Sequence, residues 1–216
     1  MAGPLNLTLY LVTDRALARG RALVDVVREA VAGGVTCVQL REKTCGTRDF
    51  IEEARALRAV LQGTGVALII NDRVDVALAA QADGVHLGQH DMRLADARRV
   101  APKEWIIGVS AESVEDAVRA ERGGADYVGA SPVFATPTKT DTALPLGLDG
   151  LSALCNAVSI PVVAIGGIHA GNAAEVMGAG PAGLAVVSAL VAAPNPRAAA
   201  ADLRRVMADR VPSALQ

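Results

Sequence analysis

The amino-acid sequence predicts a single (β/α)8 barrel, an α/β TIM barrel that spans residues 1–216. Short runs rich in β-branched residues recur eight times along the chain, helical segments separate them, and neither a linker nor a second domain interrupts the pattern. Strands that are apolar on both faces and alternate with helices are typical of a parallel sheet covered by helices. An open, doubly wound sheet is the structural alternative, but it normally needs fewer strands, and no GxGxxG motif follows the first run.

The eight runs are predicted to be the strands, and they cover residues 7–14, 37–43, 67–73, 84–89, 105–111, 127–134, 161–167 and 183–189. Between the first two, apolar residues at the helical period form one stripe, which consists of Leu23, Val26, Val27, Ala30 and Val31. Glycine pairs such as Gly33–Gly34 and Gly123–Gly124 stand where helices should end. The longest irregular stretch, ATPTKTDTALPLG at 135–147, is expected to be a functional loop.

The composition argues against several classes of protein. A net charge of −2 and an aromatic content of 2% argue against nucleic acid as a partner. The lack of an apolar run of about 18 residues argues against a membrane span, and the first segment, MAGPLNLTLYLVTD, lacks the basic start of a secretory signal. The cysteines number three, an odd count that fits reduced thiols. We therefore expect a cytoplasmic protein that binds neither nucleic acid nor membrane.

Unusual polar residues collect at the ends of the predicted strands, the face where barrels of this kind carry their chemistry. The second strand ends with Gln39, Arg41 and Lys43, which alternate and therefore share one face. The other polar residues at strand ends are Asn71, Asp72, Gln89, Asp91, Ser110, Thr136, Thr138, Lys139 and Ser188. We expect all of them to lie at one rim of the barrel.

These residues bring three kinds of chemistry to the rim. Arg41, Lys43 and Lys139 concentrate positive charge, which suits a polyanion such as pyrophosphate. Asp72 and Asp91 are hard oxygen ligands, in the small number that a Mg²⁺ ion shared with substrate phosphates prefers. Flexible backbone at AIGG and VVS, the ends of the last two strands, matches the usual phosphate site of the fold. The sequence thus predicts two anion sites, one of them reinforced by a metal.

Each of these residues also has a simpler interpretation, which the sequence leaves open. Arg41 could form a surface salt bridge with Glu42 or Asp72, and Asp91 could cap a helix that begins at Met92. The remaining ordinary roles are a tight turn at Gly166–Gly167, helix caps at Ser110 and Ser188, a solvated Lys139 and a core histidine at His86. Their coincidence at one rim favours the functional interpretation. The sequence contains no Ser-His-Asp order, GxSxG motif or zinc-like cluster.

Six segments along nearly the whole chain carry a further signal: QLREK, IINDRVDVALAAQADGVHLGQHD, GVS, SPVFATPTK, AIGGI and VVSA. Together, and in this order, they resemble the thiamine-phosphate synthase family. The resemblance implies a transferase of thiamine biosynthesis. It would join 4-amino-2-methyl-5-(diphosphooxymethyl)pyrimidine to 4-methyl-5-(2-phosphooxyethyl)thiazole and release thiamine phosphate and diphosphate. It implies Mg²⁺ as the cofactor and two phosphorylated small molecules as the partners, and it leaves the oligomeric state open.

By matching motif positions, the resemblance also implies roles for individual residues. Arg41, Ser110 and Lys139 would be catalytic, and Asp72 and Asp91 would hold Mg²⁺. The pyrimidine diphosphate would be bound by Gln39, Leu40, Arg41, Glu42, Lys43, Asn71, Ser110 and Lys139. The thiazole phosphate would be bound by Thr136, Pro137, Thr138, Gly167, Val187 and Ser188.

The implied reaction suits the residues at the rim. Diphosphate would leave from a carbon attached to an electron-rich aminopyrimidine, and the thiazole nitrogen would attack without losing a proton. Such a step needs charge stabilisation and exclusion of water rather than a general base. The 135–147 loop is predicted to close over the diphosphate with Lys139.

Two alternatives remain, a thiazole tautomerase-like isomerase on the same barrel and a non-catalytic sensor of phosphorylated ligands. The cations and carboxylates at the rim argue against the isomerase, and a metal beside a second anion site argues against the sensor. Release of diphosphate when both substrates are present would separate the three.

Overall fold

The computed structural model describes residues 5–136 and 144–208, which form a closed barrel of eight parallel strands. Each strand pairs with the next in the chain, and the first also pairs with the eighth, which closes the sheet. They are β1 (Leu9–Val12), β2 (Cys37–Leu40), β3 (Ala67–Asn71), β4 (Gly84–Leu87), β5 (Ile106–Ala111), β6 (Tyr127–Ala130), β7 (Val162–Ile165) and β8 (Gly183–Val186). The predicted (β/α)8 fold is confirmed.

A helix follows each strand, and β8 is followed by two. The helices are α1 (Leu23–Ala32), α2 (Thr47–Leu61), α3 (Val74–Ala80), α4 (Leu94–Val100), α5 (Val114–Arg122), α6 (Gly147–Ala157), α7 (Ala173–Gly178), α8 (Ser188–Val191) and α9 (Pro196–Ala208). Four of the five residues of the predicted stripe are buried in α1, and the fifth, Val31, is partly buried. Within the described ranges, no helix has both the length and the apolar character that crossing a membrane requires.

Most strands end earlier than the sequence predicted. Arg41 and Lys43, which the alternating pattern placed at the end of β2, lie in the loop that follows it. The reason is the hydrogen-bond pattern, because the amide of Arg41 donates to the side-chain hydroxyl of Thr13 (3.0 Å) instead of to a strand carbonyl. Gln39 stays within β2 and is buried. The loops that begin at these early strand ends therefore carry much of the polar rim.

Two apolar clusters hold the barrel together, one on each face of the sheet. Alternate strand residues such as Val38 and Leu40 face outward and join the large cluster between sheet and helices. The residues between them face inward, and the inner cluster comprises Leu7, Tyr10, Val12, Cys37, Ala67, Ile69, Tyr127, Val163 and Ala185. This inner cluster is small and contains both tyrosines of the chain.

Two glycines in the middle of strands make room for large inner side chains. A Cβ atom on Gly108 of β5 would lie 2.1 Å from Cζ of Tyr127, and one on Gly129 of β6 would lie 3.1 Å from Cε1 of His86. Glycine weakens a strand, and its presence often marks a close approach by another group. Here the approaching groups are the rings of Tyr127 and His86.

We expect Gly108→Ala to destabilise the barrel by about 1–3 kcal/mol, because the added methyl group overlaps the Tyr127 ring in a closed interior. The denaturant midpoint of unfolding measures this effect. Gly178→Ala is the matched control, since a Cβ atom there meets nothing within 4 Å and alanine favours the helix. Equal midpoints for the two variants would contradict the close packing around Tyr127.

Candidate active site

A cavity of about 280 Å³ opens at the carboxyl ends of the strands, and all eight strand ends contribute to it. Parallel barrels place their ligands at this end. Of the predicted site residues, the cavity brings together Gln39, Arg41, Lys43, Asn71, Asp72, Asp91, Ser110, Thr136, Gly167, Val187 and Ser188. Residues from distant parts of the sequence thus meet at one rim.

Two of the predicted site residues that the structure describes, Leu40 and Glu42, do not line the cavity. Leu40 faces outward and is buried in the cluster beneath the helices. Glu42 lies beside Arg15, with an Nε–Oε1 distance of 3.1 Å, and its side chain is 3% exposed. Because their side chains point away, a ligand could contact these two residues only through the backbone. Pro137, Thr138 and Lys139 lie outside the described residues, as does most of the predicted closing loop.

The cations of the β2 loop stand at the edge of the cavity. Lys43 Nζ lies 2.6 Å from Asp72 Oδ2, and Arg41 Nη1 lies 3.9 Å from Asp14 Oδ2. The simpler interpretation of Arg41 as a member of a surface salt bridge named the wrong partners, because the structure pairs it with Asp14 and with neither Glu42 nor Asp72. With its closest described carboxylate at such a long distance, the Arg41 guanidinium can also bind an anion in the cavity.

Two carboxyl groups, those of Asp72 and Asp91, lie within hydrogen-bonding reach of each other. Burial raises the pKa of Asp72, but hydrogen bonds from Asp91 and Lys43 outweigh burial and hold that pKa below its ordinary value. Burial and the neighbouring Asp72 raise the pKa of Asp91. The pair is thus a concentrated site of negative charge in which Asp72 is the more readily ionised member.

The local backbone explains how the two carboxylates meet. Asp72 adopts φ 62°, a left-handed conformation that aspartate tolerates better than most residues. Asp91 accepts a hydrogen bond from the amide of Gly88 (2.7 Å), which fixes its carboxylate within the β4 loop. The alternative role for Asp91 as a helix cap is wrong, because α4 begins at Leu94 and its N-cap is Arg93.

The donor set of this pair fits a magnesium ion. Both groups are carboxylates, the hard oxygen ligands that Mg²⁺ prefers, and among the described residues no third His, Cys, Asp or Glu completes a protein cage with them. Two carboxylates would leave the other coordination positions to water and to phosphate oxygens. This is the arrangement expected for a metal shared with a phosphorylated substrate.

Asn71 lines the cavity beside this pair and has an unsatisfied donor. The residue is 93% buried, and its amide nitrogen Nδ2 has no hydrogen-bond partner among the described residues. An unpaired buried donor is costly, so such groups in native proteins usually meet a ligand or water. Because Asn71 lies in the cavity wall, this amide is available as a donor to a molecule that binds there.

The β7 and β8 loops form the wall across the barrel from the carboxylates. Gly166 and Gly167 adopt φ 110° and 66°, and a Cβ atom on either would lie within 3 Å of Pro132 or Phe134. Only glycine fits this turn, which brings the backbone close to the β6 loop. Val187 and Ser188 follow β8 on the same wall. This wall therefore includes glycine backbone, a feature that many phosphate sites share.

Sequence reasoning missed several residues of the cavity. Tyr10, His86 and Tyr127 line it, and they were not assigned to the site. His86 has a partner at each ring nitrogen, as the core interpretation expected, but it also reaches the cavity. The signal that could have found them is the pair of strand glycines, Gly108 and Gly129, which the Tyr127 and His86 rings require. Other lining residues that were not assigned to the site are His90, Glu112 and Ser131, whereas Gln89 lies at the rim as its place after the fourth strand predicted.

Comparisons with known proteins identify the family of this chain. The thiamine monophosphate synthase family model matches residues 9–190. A thiamine-phosphate synthase from Albidiferax ferrireducens is 58% identical over 201 residues, which cover 93% of this chain and 92% of that protein. One from Chloroflexus aurantiacus is 56% identical over 199 residues, 92% of each chain.

Among solved structures, a thiamine phosphate pyrophosphorylase from Pyrococcus furiosus superposes with a TM-score of 0.87 at 43% identity. The superposition covers 95% of this chain and 97% of that one. The resemblance found in the sequence motifs is confirmed over nearly the full length of these relatives. The chain belongs to the thiamine monophosphate synthase family.

Proposed function

We propose that this protein joins 4-amino-2-methyl-5-(diphosphooxymethyl)pyrimidine to 4-methyl-5-(2-phosphooxyethyl)thiazole and releases thiamine phosphate and diphosphate. One observation carries the proposal: a single cavity has cations and paired carboxylates on one wall and glycine-rich backbone on the opposite wall. Two different anions could thus bind in one enclosed space, as the condensation of two phosphorylated molecules requires. The names of the family relatives support the same activity.

The pyrimidine diphosphate is proposed to bind on the wall formed by β2, β3 and β5. Arg41 and Lys43 supply positive charge to the diphosphate, and Asn71 offers its unpaired amide. Gln39 and Ser110 face the same space. From the sequence alone we add Lys139 to this group.

Asp72 and Asp91 are proposed to hold Mg²⁺ together with the diphosphate. When bound, the metal would act as a Lewis acid that neutralises charge on the diphosphate oxygens. Lys43 contacts Asp72 and would keep that carboxylate ionised and oriented toward the metal.

The protein's share in the reaction is binding, orientation and exclusion of water. The bond between the pyrimidine methylene carbon and the diphosphate oxygen breaks with its electron pair on oxygen, and the thiazole nitrogen lone pair forms the new bond to that carbon. No proton moves, so the absence of a general base from the proposed residues is consistent with the step. Arg41 and Lys43 stabilise the growing charge on the leaving diphosphate.

The thiazole phosphate is proposed to bind at Thr136, Gly167, Val187 and Ser188, and from the sequence at Pro137 and Thr138. We expect Ser188→Asp to raise the KM for the thiazole phosphate strongly through charge repulsion, with little change in pyrimidine diphosphate binding. Ser188→Asn is the matched neutral control. Calorimetric titration with each ligand measures the two affinities separately. Equal losses of affinity for both ligands would contradict the assignment of this wall.

Incubations with the substrates together and separately distinguish the synthase from the two alternatives. With both substrates and Mg²⁺, the synthase forms thiamine phosphate, which mass spectrometry identifies directly. An isomerase would instead convert a thiazole substrate supplied alone, and a sensor would bind without turnover. The carboxylate pair beside the cations favours the synthase, because neither alternative has a leaving group that needs them.

The setting of the reaction is proposed to be the cytoplasm, with two small phosphorylated molecules as the partners. Cys37, Cys45 and Cys155 are all free thiols, which fits a reducing compartment.

A further inference from the structure

Five side chains form a continuous hydrogen-bonded chain across the interior of the barrel, along the floor of the cavity. Gln39 Nε2 donates to Tyr10 Oη (3.0 Å), and Tyr10 Oη lies 2.8 Å from Tyr127 Oη. Tyr127 Oη lies 3.0 Å from His86 Nδ1, and His86 Nε2 lies 3.0 Å from Ser110 Oγ. The two ends, Gln39 and Ser110, are residues proposed to bind the pyrimidine diphosphate. The three residues between them have no role in the proposal above.

The surrounding backbone is shaped to hold this chain in place. The rings of Tyr10 and Tyr127 meet edge to face at 6.0 Å, and those of His86 and Tyr127 lie 5.5 Å apart. Gly108 leaves the space that the Tyr127 ring fills, and Gly129 leaves the space beside His86. Both tyrosines are almost fully buried. The rings therefore have little freedom to turn away from one another.

The donor and the acceptor of each hydrogen bond in the chain can be assigned by starting from Gln39. An amide nitrogen only donates, so Tyr10 Oη accepts from Gln39 and its own hydrogen is free to go to Tyr127. Tyr127 then donates to His86 Nδ1, which must be unprotonated, and the hydrogen on Nε2 goes to Ser110 Oγ. In this order each hydroxyl of the two tyrosines donates once and accepts once. The Ser110 hydrogen is left for the cavity.

The reverse order is less favourable. If Tyr127 donated to Tyr10, the Tyr10 hydrogen would have to leave the chain, and the neighbouring Cys37 thiol is a weak acceptor. Burial raises the pKa of both tyrosines well above the ordinary value, so both keep the hydrogens that the chain needs. Turning the Gln39 amide over would reverse every bond, and the tautomer of the histidine distinguishes the two orders.

We propose that Tyr10, Tyr127 and His86 are positioning residues that hold His86 as the Nε2–H tautomer and so turn the hydroxyl hydrogen of Ser110 toward the cavity. There Ser110 can donate to an oxygen of the substrate diphosphate, a bond that strengthens as the leaving group gains charge. The identity of this ligand rests on the proposed function. The tautomer is a property of the protein alone.

The tautomer can be measured by ¹⁵N NMR on the ligand-free protein with labelled histidine. The polypeptide contains three histidines, so a His86→Gln variant is used to assign the ¹⁵N signals of His86. We expect an unprotonated Nδ1 and a protonated Nε2 in the wild type, and a mixture of tautomers in Tyr127→Phe, which removes the hydroxyl that donates to Nδ1 and accepts from Tyr10. Protonated Nδ1 in the wild type, alone or with Nε2, or an unchanged tautomer in the variant would overturn the proposal.

A packing control accompanies this measurement. Cys37→Ala changes the volume of the inner cluster next to Tyr10 without removing a member of the chain. It should leave the histidine tautomer as in the wild type. A shift equal to that of Tyr127→Phe would mean that packing sets the tautomer, and the positioning role would fail.

Kinetics test whether the chain acts through Ser110. Tyr127→Phe should lower kcat by about 10- to 100-fold, as the loss of an orienting partner typically does, with a smaller effect on KM. Adding Tyr127→Phe to Ser110→Ala should cause little further loss, because the two changes remove the same interaction. Additive losses would overturn the proposal. A wild-type protein with the expected tautomer but no synthase activity would instead overturn the proposed function.

Discussion

Replacing Asp72 with asparagine should reduce the turnover of the proposed synthase on the order of 1,000-fold, because metal stabilisation of the leaving group is worth several kcal/mol. Asparagine is the sharper choice than alanine, since it also tolerates the left-handed backbone at φ 62°. Asp91→Asn should cause a similar loss while an amide oxygen can still accept the hydrogen bond from Gly88. Initial rates over a range of Mg²⁺ concentrations measure both effects.

Asp75→Asn provides the matched control for these variants. Asp75 lies in the first turn of α3, close to Asp72 in sequence, and its carboxylate pairs with Arg73 rather than lining the cavity. It should retain full activity. Electron paramagnetic resonance measures the binding of Mn²⁺ directly, and this readout does not depend on turnover. Full activity of both Asp72→Asn and Asp91→Asn in excess chelator would contradict the metal assignment.

Arg41→Gln should reduce kcat/KM by about 100- to 1,000-fold, the range seen when a donor to developing charge is removed. The Arg41 side chain is 22% exposed, and with Asp14 Oδ2 at 3.9 Å its guanidinium is available to the diphosphate. Arg41→Lys should recover only part of the activity, because lysine keeps the charge but loses the two-pronged contact with phosphate oxygens. Steady-state kinetics with varied pyrimidine diphosphate measure the series.

Arg73→Gln is the corresponding control, since Arg73 follows β3 at the same end of the barrel. It bonds to Asp75 and Thr47 on the outer surface and does not line the cavity. Its loss should leave kcat/KM close to the wild-type value. Equal activity of Arg41→Gln and Arg73→Gln would show that Arg41 is an ordinary surface residue.

The fold was predictable because the spacing of apolar residues indicates the strands and helices, and because the two kinds of element alternate along the chain. What the sequence placed wrongly was the end of most strands, because the pattern of alternating residues continues beyond the last paired residue. Arg41 shows the reason: its side chain keeps the phase of β2, while its amide bonds to Thr13. The alternation of residues indicates which face of the sheet a side chain occupies, but it does not indicate where strand pairing ends.

The candidate site was predictable where residues have unusual chemistry for their position. Aspartates, cations and glycines at strand ends stood out against an apolar background, and the structure gathers those it describes around one cavity. Leu40 and Glu42 came from the resemblance alone, and their outward side chains agree with the alternation that begins at Gln39. The sequence assigned Asp72 and Asp91 to one metal site, but it could not show how the two carboxyl groups meet, since this depends on the loop geometry of two strands.

The buried tyrosine pair was not predictable from pattern. Tyr10 and Tyr127 occupy inward positions that any large apolar residue could fill, and 117 positions separate them in the sequence. Their hydroxyl groups meet only because the barrel brings β1 and β6 across from each other. A tyrosine paired with a strand glycine, as Tyr127 is with Gly108, is the sequence signal that such a contact leaves.

The most direct test of the proposed synthase measures diphosphate release while each component is omitted in turn. With both substrates and Mg²⁺ present, we predict diphosphate and thiamine phosphate in equal amounts. Omitting the thiazole phosphate, the pyrimidine diphosphate or the metal should reduce the rate to near background. Diphosphate released at the same rate without the thiazole phosphate, or none released with every component present, would contradict the proposal that this cavity joins the two substrates.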